Sequence, residues 1–183
     1  MTSRTLLAAA AALALIAPLS ARAELPQGAL APDFSARGAL GGKPFSFHLR
    51  KALKRGPVVL YFYPKAFTPG CTLEAHAFAE AADDFAAAGA TVIGMSNDDL
   101  AALKKFSTVE CRNRFAVASA TPAVIKAYDV DLKREGVSTG LASRTSYVIG
   151  RDGHVVLVHS DMDYRDHVRL TLDAVRTLRQ QGR

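Results

Sequence analysis

Several features are missing from this sequence, and each absence argues against a class of protein. After residue 19 the chain has no apolar run that approaches the roughly 20 residues needed to cross a bilayer. Lysine and arginine exceed the acidic residues, which gives a formal net charge of +6, but they are scattered. A nucleic-acid binder is expected to cluster them with aromatic residues on one element. Repeats and low-complexity tracts are also absent, and the length suits a single domain.

Cysteine is scarce, since Cys71 and Cys111 are the only two. A thiol-disulfide exchange protein usually carries Cys-x-x-Cys at a helix start, whereas Thr68 stands at the matching position before Cys71. Together with His76, the two cysteines match no common zinc spacing. We therefore expect neither a metal site nor another cofactor. In an exported chain the two thiols can form one disulfide.

The longest apolar stretch lies at the start of the chain. It covers residues 6–19, follows Arg4 and precedes Ala-Arg-Ala at 21–23, which is the layout of a secretory signal peptide. We predict that residues 1–23 are removed and that residues 24–183 form a single exported, periplasmic domain without membrane contact after cleavage. An uncleaved membrane anchor is the alternative, although the stretch is short for one.

Apolar patterning predicts a domain in which strands and helices alternate. The predicted elements are, in chain order, a buried strand at 57–63, a helix from Thr68 through Phe85 that stops near Gly89, a strand at 90–96, a helix capped by Asn97, a short helix opened by Thr121 and Pro122, a hairpin that turns at 151–153, and a closing helix at 165–179. The alternation favours an α/β fold with parallel strands at its centre.

Cys71 lies where the first of these helices begins. With Thr68 as the cap and Pro69 as the first helical residue, Gly70 and Cys71 come second and third. Free backbone N–H groups and the positive end of the helix dipole favour a thiolate there, and a thiolate is a nucleophile. The alternative is that Cys71 only packs in the core, as free cysteines often do. The local pattern leaves both readings open.

Three stretches carry further information, namely PKAFTPGC at 64–71, APDF at 31–34 and RTSYVI at 144–149. The first resembles the Pro-x-x-x-Thr-x-x-Cys signature of the peroxiredoxins, the alkyl hydroperoxide reductase/thiol-specific antioxidant family. The second resembles the opening motif of that family, and the third resembles its arginine-bearing strand. The matches follow the family's order and span nearly the whole chain after residue 30. CTLE at 71–74 is most similar to the bacterioferritin comigratory, or Q-type, branch.

This resemblance implies a thioredoxin-like fold with a central mixed β-sheet flanked by helices. It implies that Cys71 reduces hydrogen peroxide and organic hydroperoxides and becomes sulfenic acid. Resemblance to the Q-type branch also implies a monomer. Because cytoplasmic thioredoxin cannot reach an exported protein, we expect a thioredoxin-like partner in the same compartment, or a small thiol, as the reductant.

The resemblance also implies roles for the residues around the nucleophile. Arg144 would favour the thiolate and hold the peroxide oxygens with its fixed donors. The hydroxyl of Thr68 would contact the peroxide or the thiolate, and backbone N–H groups at Gly70 and at the cysteine itself would stabilise the leaving oxygen. Pro64 would shield the pocket. Glu74 is read as a first-turn acid with a supporting role in placing Arg144.

The second cysteine raises the question of how the sulfenic acid is resolved. In many Q-type proteins the resolving cysteine stands where this chain has His76. Cys111 is the remaining candidate, and it lies in a region where some Q-type proteins carry their resolving cysteine. The resemblance therefore implies an intramolecular disulfide between Cys71 and Cys111. We expect Arg112 and Arg114 to favour the Cys111 thiolate. A one-cysteine mechanism with an external thiol is the alternative.

Two other functions stay open at this point. One is an exported thiol-disulfide oxidoreductase-like protein. The other is a non-enzymatic domain in which Cys71 and Cys111 form a structural disulfide.

Overall fold

The computed structural model describes residues 24–182, so the predicted signal peptide lies outside the described residues. The strands are β1 (Ser35–Leu40), β2 (Lys43–His48), β3 (Val58–Phe62), β4 (Thr91–Ser96), β5 (Ala116–Ser119), β6 (Asp131–Arg134), β7 (Val137–Ala142), β8 (Thr145–Ile149) and β9 (Val155–Ser160). The helices are α1 (Leu49–Leu53), α2 (Pro69–Glu80), α3 (Ala82–Ala87), α4 (Leu100–Val109), α5 (Pro122–Ala127) and α6 (Arg165–Gln180).

A seven-stranded mixed sheet forms the centre, in the order β2-β1-β5-β4-β3-β8-β9. Strands β3, β4 and β5 run parallel, whereas β8 is antiparallel to β3 and β1 is antiparallel to β5. The α/β fold with a central mixed sheet is therefore confirmed. Strands β6 and β7 form a separate two-stranded hairpin.

Both faces of the sheet are covered, because every residue of β3 is buried. Successive side chains of a strand point to opposite faces, and they divide between two apolar clusters. On one face, Val58, Leu60 and Phe62 pack with residues of α1 and α5. On the other face, Val59 and Tyr61 pack with residues of α2, α3, α4 and α6. Cys71 and Cys111 both belong to this second layer.

Several local predictions need correction. The predicted helix from Thr68 through Phe85 is interrupted at Ala81, which separates α2 from α3. Asp99 rather than Asn97 caps α4, since its carboxylate accepts the backbone N–H of Ala102. The turn-forming side chain thus lies two residues later than the pattern suggested.

The hairpins β1–β2 and β6–β7, the strand β5 and the short helix α1 were not predicted. By contrast, Thr121 caps α5 as expected, by accepting the N–H of Val124. Within residues 24–182, no helix combines the length and apolar character that a bilayer crossing would need.

Candidate active site

The pairing of β3 with β8 brings Arg144 to the start of α2. Phe62, the last residue of β3, pairs with Thr145, the first residue of β8. Arg144 therefore lies beside the end of β3, where the chain turns toward Pro69 at the N-terminus of α2. Residues far apart in sequence meet here because β3 ends where its antiparallel neighbour β8 begins.

The loop between β3 and α2 is held in place by a carboxylate. Asp98 accepts the backbone N–H of Ala66 at 2.8 Å and the hydroxyl of Ser96 at 2.8 Å. Phe67 follows with a positive φ of 64°, a conformation that non-glycine residues adopt rarely. These features set the direction in which the chain enters α2. The half-buried Pro64 is the second residue of this loop, after Tyr63.

Thr68 occupies the predicted cap position, but its side chain does not cap the helix. Its hydroxyl donates instead to the carbonyl of Lys65 at 2.9 Å. Thr68 is therefore the N-cap residue, as predicted, but its hydroxyl is turned toward the loop and its oxygen accepts no N–H of the helix. Pro69 and Cys71 are the first and third helical residues, as predicted.

Arg144 bridges Cys71 and Glu74. It is 4% exposed, and its Nη2 donates to the sulfur of Cys71 at 3.5 Å. Its Nη1 donates to Oε2 of Glu74, and its Nε donates to the carbonyl of Met162 at 2.9 Å. With three of its donor positions fixed, the guanidinium has one orientation, and one side of it faces the thiol.

Glu74 is fully buried and lies beyond the first turn of α2, so the interpretation as a first-turn acid is wrong. Its contact with Arg144 fits the supporting role that the sequence indicated. Burial raises the pKa of Glu74 to about 8, although the charge of Arg144 and its hydrogen bond oppose the shift. For Arg144, burial lowers the pKa, but the charges of Glu74 and Cys71 outweigh this, and its pKa is raised.

A buried histidine that sequence reasoning missed lies behind Glu74. His167, in α6, is fully buried, and its Nδ1 is 3.7 Å from Oε1 of Glu74. Two apolar residues of α6, Val168 and Leu170, are only partly buried, whereas the polar residues His167 and Thr171 are buried. The signal in the sequence was the four-residue spacing of His167, Thr171 and Val175, which places them on one face of the helix. This spacing indicates burial but not the contact with Glu74.

Cys111 lies apart from this group, after the end of α4. The structure has both cysteines as free, buried thiols. Arg112 pairs with Glu80 and Arg114 pairs with Asp83, so the expectation that these arginines favour a Cys111 thiolate is wrong. Burial raises the pKa of the Cys111 thiol well above its usual range, and the charge of Glu110 raises it further.

His76 connects α2 to the segment that carries Cys111. Its Nε2 is 2.7 Å from Oε2 of Glu110, the residue that precedes Cys111. The sequence indicated a single exposed helical histidine, but this side chain is 31% exposed and has a partner. Across residues 24–182, no three His, Cys, Asp or Glu side chains are grouped closely enough to hold a metal ion.

Gly70 allows the guanidinium to approach the helix. A Cβ at this position would lie 3.1 Å from Nη2 of Arg144, and the guanidinium has little freedom to retreat. We expect Gly70→Ala to slow the oxidation of Cys71 by peroxide roughly tenfold, because sub-ångström misplacement of a catalytic group is costly. The rate of thiol loss after mixing with peroxide measures this. Glu80→Ala, an exposed change at the other end of α2, is the control, and equal rates in Gly70→Ala and wild type would contradict the prediction.

The sequence matches one protein family and is similar to several curated proteins. Residues 27–158 match the AhpC/TSA family. Among curated proteins, the chain is 32% identical to the chloroplastic peroxiredoxin Q of Oryza sativa subsp. japonica, over 88% of this chain and 78% of that protein. It is also 35% identical to a putative peroxiredoxin of Mycobacterium tuberculosis, over 69% of this chain and 82% of that protein.

Solved structures show the same similarity. Peroxidoxin BcpB from Mycobacterium tuberculosis superimposes with a TM-score of 0.71 at 33% identity and covers 83% of this chain and 97% of its own. A Xanthomonas campestris bacterioferritin comigratory protein, described by its alkyl peroxide reduction activity, has a TM-score of 0.68 at 26% identity, with 78% and 91% covered. The fold is therefore the thioredoxin-like fold of these proteins.

Proposed function

The chain belongs to the AhpC/TSA family and is a peroxiredoxin, a thiol-dependent peroxidase, and we propose that Cys71 is its peroxidatic nucleophile and Cys111 its resolving thiol. The contact between Arg144 and the sulfur of Cys71 is the observation that carries this proposal. A buried thiol that faces an arginine at a helix N-terminus is placed to react as a thiolate.

In the first step, the Cys71 thiolate attacks the terminal oxygen of the hydroperoxide. An S–O bond forms while the O–O bond breaks, so the sulfur is oxidised to sulfenic acid and the other oxygen leaves and takes up a proton as water or alcohol. The guanidinium of Arg144 is placed to hold the peroxide oxygens, and the free N–H groups of Gly70 and Cys71 are placed to stabilise charge on the leaving oxygen. Thr68 and Pro64 line the approach.

In the second step, the sulfur of Cys111 attacks the sulfenic acid of Cys71. A disulfide forms and water leaves. This step needs the two Cα atoms within about 7 Å. Cys71 lies in α2 and Cys111 follows α4, and we propose that the first turn of α2 unwinds to bring the two sulfur atoms together. The link from His76 to Glu110 joins the two segments that rearrange.

The substrates, the reductant, the compartment and the oligomeric state are proposed from the sequence and from the family. Peroxiredoxins act on hydroperoxides and are regenerated by thioredoxin-like reductants. For this chain we propose hydrogen peroxide and organic hydroperoxides as substrates. This is supported by the alkyl peroxide reduction activity that the similar Xanthomonas protein is described by. We further propose a periplasmic, monomeric domain of residues 24–183 that is reduced by an exported thioredoxin-like protein or a small thiol.

Titration with peroxide tests the resolving step. One equivalent of hydrogen peroxide should convert reduced wild type to a product that has lost both free thiols and two hydrogen atoms in mass. Cys111→Ser should instead lose one thiol and gain one oxygen, which a sulfenic-acid reagent traps. Wild type that gains one oxygen and keeps the Cys111 thiol would show a one-cysteine mechanism. No change in wild type would contradict the peroxidase function.

A further inference from the structure

The hydrogen bonds of His167 define which of its nitrogens carries a proton. Its Nε2 is 3.0 Å from the carbonyl oxygen of Asp161, which can only accept, so Nε2 carries the hydrogen. Burial lowers the pKa of His167 to about 4, despite the opposing backbone hydrogen bond, and the ring is neutral near pH 7. Nδ1 therefore carries no hydrogen. Its lone pair accepts the hydroxyl of Ser146 at 2.8 Å, and the same nitrogen faces Glu74.

Glu74 has one oxygen whose environment fits a proton better than a negative charge. Oε2 accepts from Arg144, but Oε1 is buried without a hydrogen-bond partner among residues 24–182. The neighbouring nitrogen, Nδ1 of His167 at 3.7 Å, presents electron density rather than a hydrogen. A carboxylate oxygen would receive no hydrogen bond there and would be repelled by the nitrogen, whereas a neutral carboxylic acid avoids both costs.

The charges at the site lead to the same arrangement. Within the described chain, Arg144 is the one permanent cation within salt-bridge distance of Glu74. Two groups that can become anions, Cys71 and Glu74, face this single buried cation. Two buried anions beside one cation are unfavourable, so the Cys71 thiolate and a neutral Glu74 form a balanced pair.

We propose that His167 is a positioning residue of the peroxidase site: its neutral ring keeps Glu74 in the protonated form, so that the charge of Arg144 is directed to Cys71. The proposal rests on the proposed role of Cys71. The raised pKa of Glu74 agrees with it. The titratable or charged groups around Glu74 and His167 are Cys71 in α2, Arg144 before β8, His159 in β9, Asp161 and Asp163 before α6, and Tyr61 in β3.

Two substitutions should change the pH midpoint for alkylation of Cys71 in different ways. His167→Asn replaces the lone pair with an amide that can donate to Oε1 of Glu74, which stabilises the carboxylate and neutralises Arg144. The pH midpoint for alkylation of Cys71 by iodoacetamide should then rise by about one unit. Ser146→Ala removes the hydroxyl that donates to Nδ1 of His167 but adds no hydrogen on the side of Glu74. The pH midpoint of this variant should therefore equal that of wild type or be lower. His154→Asn, an exposed histidine before β9, is the matched control and should match wild type.

Alkylation is measured without peroxide, so this test is independent of whether the protein reduces peroxide. A midpoint for His167→Asn equal to that of wild type would overturn the proposal. A higher midpoint in both His167→Asn and Ser146→Ala would also overturn it, because the shift would then reflect looser packing around the site and not the hydrogen bond to Glu74. If His167→Asn does not fold, infrared spectra of wild type decide. A protonated carboxylic acid band at pH 7, missing in Glu74→Gln, supports the proposal, and its absence from wild type overturns it.

Discussion

Cys71→Ser should lose peroxide-dependent oxidation entirely, with the second-order rate constant falling by at least about ten-thousandfold. The reason is that a serine hydroxyl is not ionised at neutral pH, whereas the reaction needs a thiolate. Cys111 should not take over, because burial and the charge of Glu110 raise the pKa of its thiol. Peroxide consumption per mole of reduced protein measures the effect, with Cys111→Ser as the matched control that keeps the first step.

The same variant separates the peroxidase from a domain with a structural disulfide. If Cys71 and Cys111 formed a permanent disulfide, Cys71→Ser would lower the free energy of unfolding by about 2–5 kcal/mol and change no reaction with peroxide. The peroxidase reading predicts a stability close to that of the reduced wild type. Sulfenic acid found on Cys111 in Cys71→Ser would contradict the assignment of the nucleophile.

Arg144→Lys is expected to slow the oxidation of Cys71 by roughly a hundredfold to a thousandfold, comparable to removing one preorganised donor from an active site. Lysine keeps the positive charge but loses the planar fork that contacts Cys71, Glu74 and the Met162 carbonyl together. The loss should therefore exceed what a change of charge would explain. Stopped mixing with peroxide, followed by thiol counting, gives the rate.

Arg151→Lys provides the matched control, because Arg151 is exposed in the turn between β8 and β9. It should react with peroxide like wild type. An Arg144→Lys variant that also reacted at the wild-type rate would show that the fork geometry does not matter. Melting temperatures of both variants separate slow chemistry from a less stable fold.

The sequence predicted β3, β4, β8, β9 and the last helix because their apolar patterns are long and regular, but it missed the four-residue strand β5. It missed β1 and β2, since their pattern is short and half exposed. The signal for that hairpin was the pair Gly41 and Gly42, which both adopt positive φ in the turn between the strands. It also missed the break at Ala81, where no proline or glycine marks the end of α2.

The site was predictable where a linear motif encodes it. Cys71 and Gly70 were placed by the helix start, and Arg144 was paired with Cys71 only through the resemblance to a family, since 73 positions separate them. Sequence patterns contain no information on which side chain lies behind Glu74. That contact depends on how α6 packs on β8, and so His167 could not be assigned.

The burial of both sulfur atoms limits which oxidants can reach them. Cys71 is 2% exposed and Cys111 is not exposed, so the disulfide bond of another folded protein cannot reach either sulfur in the reduced state. Hydrogen peroxide has only two heavy atoms and needs a far smaller opening. The reduced fold therefore selects oxidants by size: it shields both thiols from mixed disulfides with other proteins, whereas a molecule as small as hydrogen peroxide can still approach Cys71.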